Sequence, residues 1–269
     1  TCRFIREAKD VLLLGPPGPV RCPVLVSVLR RLKQGSVELN YGRDAVASLV
    51  KGHAERLPAG GLAILDVGLG SAQDLRSVAA ALDGRPLMLL GVESHAPSVQ
   101  AARELGIEVH ALDIERQRLP FEDARIDVVI ANQVLEHTKE LFWIFSEVAR
   151  VLKPGGAFVA GVPNLASLHS RVMLLMGMQP SPVEVLGPHV RGFTRGGFAR
   201  FAQAGGFFSV RAVRGANFYP FPPLLARPLA RALPTFAVSL FFLCVRTERE
   251  GSFLRVLDER AFETPYFRG

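Results

Sequence analysis

Leu65-Asp66-Val67-Gly68-Leu69-Gly70-Ser71-Ala72-Gln73-Asp74 takes an apolar run straight into a glycine-rich turn and on into a helical pattern. Leu62, Ala63, Ile64, Leu65 and Val67 read as a strand buried on both faces, the mark of a parallel sheet. Gly68 and Gly70 supply backbone that bends sharply and lets a ligand come close. The helix beyond them offers unpaired N–H groups to an anionic ligand group. A tight turn with no ligand would share this local pattern.

The next acidic strand end decides between these readings. Pro86 to Val92 forms a second buried strand that ends in Glu93, at the spacing where a doubly wound sheet sets a carboxylate against ribose hydroxyls. A nucleoside-type cofactor therefore fits the turn. A dinucleotide fits less well, because Gly-Leu-Gly-Ser-Ala-Gln lacks the third glycine of Gly-x-Gly-x-x-Gly. The tyrosines Tyr41, Tyr219 and Tyr266 have no lysine four residues on, so a short-chain dehydrogenase lacks its proton donor.

Outward from this point the periodicity predicts strands near 62–67, 86–92, 107–111, 126–131, 156–162, 207–217 and 236–246, with helices near 72–82, 97–105 and 140–152. Lys153-Pro154-Gly155-Gly156 is expected to end the last of these helices and turn the chain. The fold class is α/β, a three-layer sandwich with a seven-stranded, mostly parallel sheet. Residues 1–61 are expected to form an N-terminal cap with a helix over Tyr41–His53, residues 62–247 the main domain, and residues 248–269 a tail. Insertions at 163–189 and 216–235 follow the fifth and sixth strands. The first of them lies beyond a strand's carboxyl end, the correct side to shape an acceptor pocket.

The ordered set Leu65-Asp66-Val67-Gly68-Leu69-Gly70, Gly91-Val92-Glu93, Leu112-Asp113-Ile114, Phe121-Glu122-Asp123, Ile126 to Asn132 and Leu152-Lys153-Pro154-Gly155-Gly156 resembles the class I S-adenosylmethionine-dependent methyltransferases, in the group that includes the ubiquinone-biosynthesis enzymes and methyltransferase types 11 and 12. The resemblance implies a Rossmann-like fold, S-adenosyl-L-methionine as cofactor and S-adenosyl-L-homocysteine as product. It also implies roles for single residues. Gly68 and Gly70 would line the methionine and ribose portion, Glu93 hold the ribose hydroxyls, Asp113 with Ile114 meet the adenine, and Asn132 flank the methionine end. Asp66 would order the loop or meet the cofactor's amino group. For Asp113 a helix-capping or turn role, and for Asn132 a turn role, stay open. Ala72 stands where many members have a third glycine.

Gln133-Val134-Leu135-Glu136-His137 follows the fourth strand and so faces the cofactor's methyl group. His137 is the candidate general base, with packing at a helix start as the alternative. The segment also resembles the Glu-x-x-Glu-His stretch of small-RNA 2′-O-methyltransferases and some ubiquinone-pathway O-methyltransferases, where a divalent ion is held. Gln133 replaces the first acid, leaving Glu136, His137 and His189, and Gly192-Phe193-Thr194-Arg195 partly echoes that family's later motif. A hard cation loses one anionic oxygen here, and no metal is assigned. His169 is a separate acceptor-loop candidate. A methyl acceptor with an oxygen, small or lipid-linked, is the first functional expectation. RNA 2′-O-methylation and a non-catalytic binding module are the alternatives.

Composition and charge set the limits. With 269 residues, 49% of them hydrophobic, the chain suffices for one α/β domain. Val11–Leu29 and Leu224–Val245 are broken by prolines and arginines, so no membrane span is expected, and the early acids Glu7 and Asp10 argue against a signal peptide. Cys2, Cys22 and Cys244 form no C-x-x-C pair, which points to a reducing, cytoplasmic setting without zinc. Between Glu184 and Glu248 the chain has no acid and eight arginines: Arg191, Arg195, Arg200, Arg211, Arg214, Arg227, Arg231 and Arg246. That stretch would attract an anionic acceptor, nucleic acid or lipid head groups, the last as peripheral membrane contact, or would simply be a solvated face. Phe218, Tyr219 and Phe221, set among prolines, are the candidate aromatic loop contacts.

Overall fold

A computed structural model describes residues 42–259, 262 and 265–269. The expected cap residues 1–41, with Val11–Leu29, Cys2, Cys22 and Tyr41, lie outside the described residues. Seven strands, β1 (Leu62–Val67), β2 (Leu87–Glu93), β3 (Glu108–Ala111), β4 (Ile126–Asn132), β5 (Leu152–Pro163), β6 (Phe208–Ala216) and β7 (Ser239–Arg246), form one sheet in the order β3-β2-β1-β4-β5-β7-β6. Only β7 runs against its neighbours. The carboxyl ends of the other six strands therefore share one edge, and the strand order reverses between β1 and β4, where ligands of open α/β sheets bind.

The apolar runs are continuous because both faces are covered. Leu65, Val129 and Phe158 point into one cluster, while Ile64, Val128 and Val159 point into the other. On the second side lie α1 (Arg43–Ala54), α2 (Gln73–Ala81) and α3 (Ala96–Glu104). On the first lie α4 (Leu141–Val151), α6 (Arg195–Ala202) and α8 (Arg255–Asp258). The insertions contribute α5 (Leu168–Leu175) and α7 (Pro223–Ala232).

Two differences from the sequence reading have physical causes. Lys153-Pro154-Gly155-Gly156 is not a turn between elements: β5 begins at Leu152, opposite Ile126, and the next pair is Val128 with Ala157, so the extra residues bulge from a continuous strand. Gly155 takes the positive φ of 80° that the bulge needs, and its carbonyl lies 3.0 Å from His53 Nε2 at the end of α1. The residues after 247 also enter the core. Phe253 is fully buried, packed on Phe145 at 5.4 Å and on Phe201 at 5.5 Å between ring centroids.

Phe145 is the centre of this aromatic cluster, edge-on to Phe158, Phe201 and Phe208. Phe145→Ala should cost about 3–5 kcal/mol of unfolding free energy, read from the shift in a urea transition.

Candidate functional site

The site begins where β1 ends. Gly68 and Gly70 have φ of 74° and 54°, and Ala72, at φ 58°, occupies the left-handed position of the expected third glycine as the N-cap of α2. The turn is stitched to the end of β2. The Gly68 N–H donates to Val92 O at 2.9 Å, and the Gly70 N–H donates to Glu93 Oε2 at 2.9 Å. The other Glu93 oxygen accepts the N–H groups of Ser94 and His95 at 2.8 and 2.9 Å. Glu93 is thus buried and aimed across the turn.

Asp66 is buried beside it, with Oδ2 lacking any hydrogen-bond partner. Burial, then the charges of Asp74 and Glu93, push its carboxyl well above the usual range. Asp74, in the first turn of α2, is likewise raised by burial, against the lowering pull of Asn132 and Arg43. Asn132 Nδ2 donates to Asp74 Oδ1 at 3.0 Å. Three carboxylates therefore share one hollow at the sheet edge, an arrangement that a cationic ligand with hydroxyl groups would relieve.

Asp74 and Arg43 had no role in the sequence reading. The signal for Asp74 was its place on the first turn after the glycines, within reach of the same hollow. A further signal was Gly161, the partner of Asn132 across β4 and β5, where a Cβ would lie 2.2 Å from Asn132 Oδ1. Asn132 can occupy its place only beside a glycine.

Leu112 N donates to Glu93 O at 3.2 Å, which brings the end of β3 next to the Glu93 carboxylate. Asp113 there is exposed, and its Oδ1 accepts the Glu115 N–H at 2.9 Å, the local turn geometry anticipated as its alternative role. Ile114 is half-buried and lines a narrow hollow with Val67, Leu119 and Ile144.

Past β4 the chain is strained, with Gln133 at φ 57°. Val134 then lies over the glycine turn, since a Cβ on Gly68 would come within 2.6 Å of Val134 Cγ2. A single 3-10 turn, Leu135–His137, follows. Glu136 is 1% exposed, and apart from the pull of its own backbone amide neither carboxylate oxygen has a hydrogen-bond partner. Burial pushes its pKa from the ordinary 4.5 to about 8.

His137 and His189 stand beside it, with rings 4.8 Å apart. Their Nδ1 atoms face the carbonyls of Pro188 and Pro182 at 3.2 and 3.1 Å. A carbonyl only accepts, so each Nδ1 bears the proton and each Nε2 keeps its lone pair. Burial lowers both pKa values, and His189 lowers that of His137 further, so the pair is neutral near pH 7. One ligand atom from each of the three residues lies within 4.8 Å of the others. One carboxylate with two imidazoles, each held by a backbone carbonyl through Nδ1, suits a transition-series divalent ion better than magnesium.

The insertions rise from the ends of β5 and β6. Asn164, fully buried, donates from Nδ2 to Thr235 O and Ala237 O, both at 2.8 Å. His169 lies edge-on to Tyr219 at 5.8 Å. Phe218 is not the loop contact expected of it: it is buried with Ala226, Ala230 and Ala237, while Tyr219 and Phe221 stay exposed.

The fold is a Rossmann-like α/β architecture of the kind found in methyltransferases. The comparisons agree. Residues 65–160 match the methyltransferase domain family. The chain is 29% identical over 117 residues to the 27-O-demethylrifamycin SV methyltransferase of Amycolatopsis mediterranei, covering 40% of this chain and 42% of that protein. It is 31% identical over 119 residues to the dimethylglycine N-methyltransferase of Parasynechococcus marenigrum, covering 42% and 41%. The structure of an S-adenosylmethionine-dependent methyltransferase from Mesorhizobium loti superposes with a TM-score of 0.51 at 19% identity, over 79% of this chain and 99% of that one, a likeness of fold. The matched stretch spans about two-fifths of the length of the two curated relatives. Residues 65–160 are thus similar to a methyltransferase domain, on a fold shared with S-adenosylmethionine-dependent methyltransferases.

Glu136 gives the site a pH signature. Its folded pKa of about 8 lies above the ordinary 4.5, so the folded state holds a proton that the unfolded chain releases first. That stabilisation is complete below pH 4.5 and is lost as pH rises through 8. In urea titrations across this range without added metal, Glu136→Gln should lose less stability with rising pH than the parent; parallel slopes would place the titration elsewhere.

Proposed function

We propose that this chain binds S-adenosyl-L-methionine at the β1–β2–β4 edge and methylates an oxygen of a small or amphipathic acceptor. The observation that supports this reading best is the buried carboxylate set Asp66, Asp74 and Glu93 around the glycine turn. The cofactor fits it chemically: an ammonium and a sulfonium answer the negative charge, and two ribose hydroxyls answer Glu93. In this reading Gly68 and Gly70 admit the ligand closely, Glu93 holds the ribose, Asp113 and Ile114 flank the adenine, and Asp66 and Asn132 lie toward the methionine end. Residues 62–247 form the catalytic domain, with the insertions as acceptor walls.

When bound, the cofactor supplies an electrophilic methyl group and leaves as S-adenosyl-L-homocysteine. The chain's residues have the remaining work of orientation and proton removal. A neutral amine attacks with its own lone pair, whereas a hydroxyl must shed a proton. A neutral His137 with Nε2 open is suited to accept that proton, which favours oxygen as the acceptor atom. The two relatives compared are named for O- and N-methyl transfer respectively, so the likeness leaves the atom open.

A second reading is favoured by the trio Glu136, His137 and His189. If it holds a divalent ion, His137 Nε2 is a ligand and no longer a base, and a metal-assisted methyl transfer to an RNA 2′-hydroxyl becomes the better reading. A chelator separates the two. Activity that survives it supports the His137 base, whereas loss restored by manganese or zinc supports the metal. RNA binding would show a steep salt dependence.

Calorimetry with S-adenosylhomocysteine tests the shared core. Gly68→Arg, which drives a side chain into Val134 and the hollow, should abolish binding. Glu93→Ala should weaken it by about tenfold or more. In the metal-free reading, His137→Ala should lower turnover about 10²–10⁴-fold with affinity for the product nearly unchanged. A wild-type chain that binds no product would leave only the binding-module reading.

A further inference from the structure

The helix α5 is built inside out. Among its eight residues the one that is buried is Ser170, while Val172, Leu174 and Leu175 face solvent, the last 88% exposed, followed by Met176 and Met178. A surface helix on a water-soluble face shows the opposite arrangement. The helix α7 repeats the pattern: Ala226 and Ala230 pack inward, and Leu224, 86% exposed, and Leu225 point out beside exposed Arg227 and Arg231. Leu186, in the loop between α5 and α6, is 92% exposed.

The two helices belong to one body. Leu168 and Phe236 pack against the cluster of Phe218, Ala226, Ala230 and Ala237, and Arg171 lies over the Phe236 ring at 4.5 Å. The body projects from the sheet edge that bears the glycine turn, because the end of β5 pairs with Ser239 and Ser239 pairs with the end of β6. Its charge is one-sided. The insertions, residues 163–189 and 216–235, hold Arg171, Arg227 and Arg231 against one acid, Glu184.

We propose that the two insertions form a docking surface for an anionic phospholipid bilayer, which the protein meets peripherally, with the α5 and α7 leucines entering the acyl boundary and the arginines meeting head groups. Exposed aliphatic side chains on helices that also expose Arg171, Arg227 and Arg231, with Tyr219 and Phe221 exposed ahead of α7, match the chemistry of a membrane interface. No helix among the described residues is long and apolar enough to cross a membrane. A second copy would set one positive face against another. Residues 1–41, with seven Lys and Arg against three acids, have the same sign as this surface. Charge complementarity therefore favours the lipid. The inference does not depend on the methyltransferase reading, and its readout is vesicle binding without turnover.

The test is cosedimentation of the full chain with phosphatidylcholine vesicles, plain or containing about 30% phosphatidylglycerol. The chain should pellet with the anionic vesicles. The double substitution Leu175→Asp and Leu224→Asp, at exposed positions, should weaken that binding by about tenfold or more. Arg227→Ser with Arg231→Ser should erase most of the preference for anionic lipid. A chain that stays in the supernatant with both vesicles overturns the proposal, as does a double leucine variant that pellets like the parent. A dimer in size-exclusion chromatography that the leucine variant turns into a monomer would assign the surface to a second copy and overturn it too.

Discussion

The hydrogen bond from the Gly70 amide to the Glu93 carboxylate, 2.9 Å long, joins the ends of two strands and gives the edge of the sheet its shape. It holds the glycine turn open and turns the carboxylate inward. It depends on the parallel pairing of β1 with β2, which sets Val67 opposite Val92, and on a turn whose positive φ angles present an N–H where a side chain would otherwise stand. Asp66, Asp74 and Asn132 gather around that frame, and Val134 closes over it. Without it, Glu93 would be an ordinary charge at the end of a strand.

The edge holds two buried acidic groups of different character. In the hollow of Asp66, Asp74 and Glu93, desolvation and then the charges of Asp74 and Glu93 hold a proton on Asp66 more tightly, and a cation placed there would favour its ionised form. At Glu136, a few residues past β4, the cause is burial, and two neutral imidazoles stand by with lone pairs free. In the proposed reading the first hollow takes an ammonium and a sulfonium. The second can keep a proton or exchange it for a metal ion, and that choice decides whether His137 is a base. Both lie on the side from which the insertions rise.

Much of this was legible before any coordinates. The seven strands fall within a few residues of their predicted places because runs such as Leu62–Val67 and Ile126–Ala131 are apolar but for one aspartate each, Asp66 and Asp127. Gly68, Gly70 and Glu93 announced themselves by spacing. Asp74 did not, because its role needs Asn132 to arrive from 58 residues away. Lys153 to Gly156 looked like a turn because proline and glycine punctuate chains locally, yet pairing with β4 retains them within the strand as a bulge. Phe218 looked like a loop contact until α7 covered it, and Phe253 looked peripheral until the aromatic side of α4 received it.

Local pattern alone determined the α/β order, the glycine turn and the acid after the second strand, since each rests on residues adjacent along the chain and on steric rules that act over a few bonds. Only the tertiary structure decided which charges share a hollow, that Glu136 keeps its proton, that His137 and His189 meet across 51 intervening residues, and that α5 and α7 turn their leucines outward. The physical reason is that desolvation and Coulomb energy depend on distance in space, and sequence separation says nothing of either until the sheet has closed.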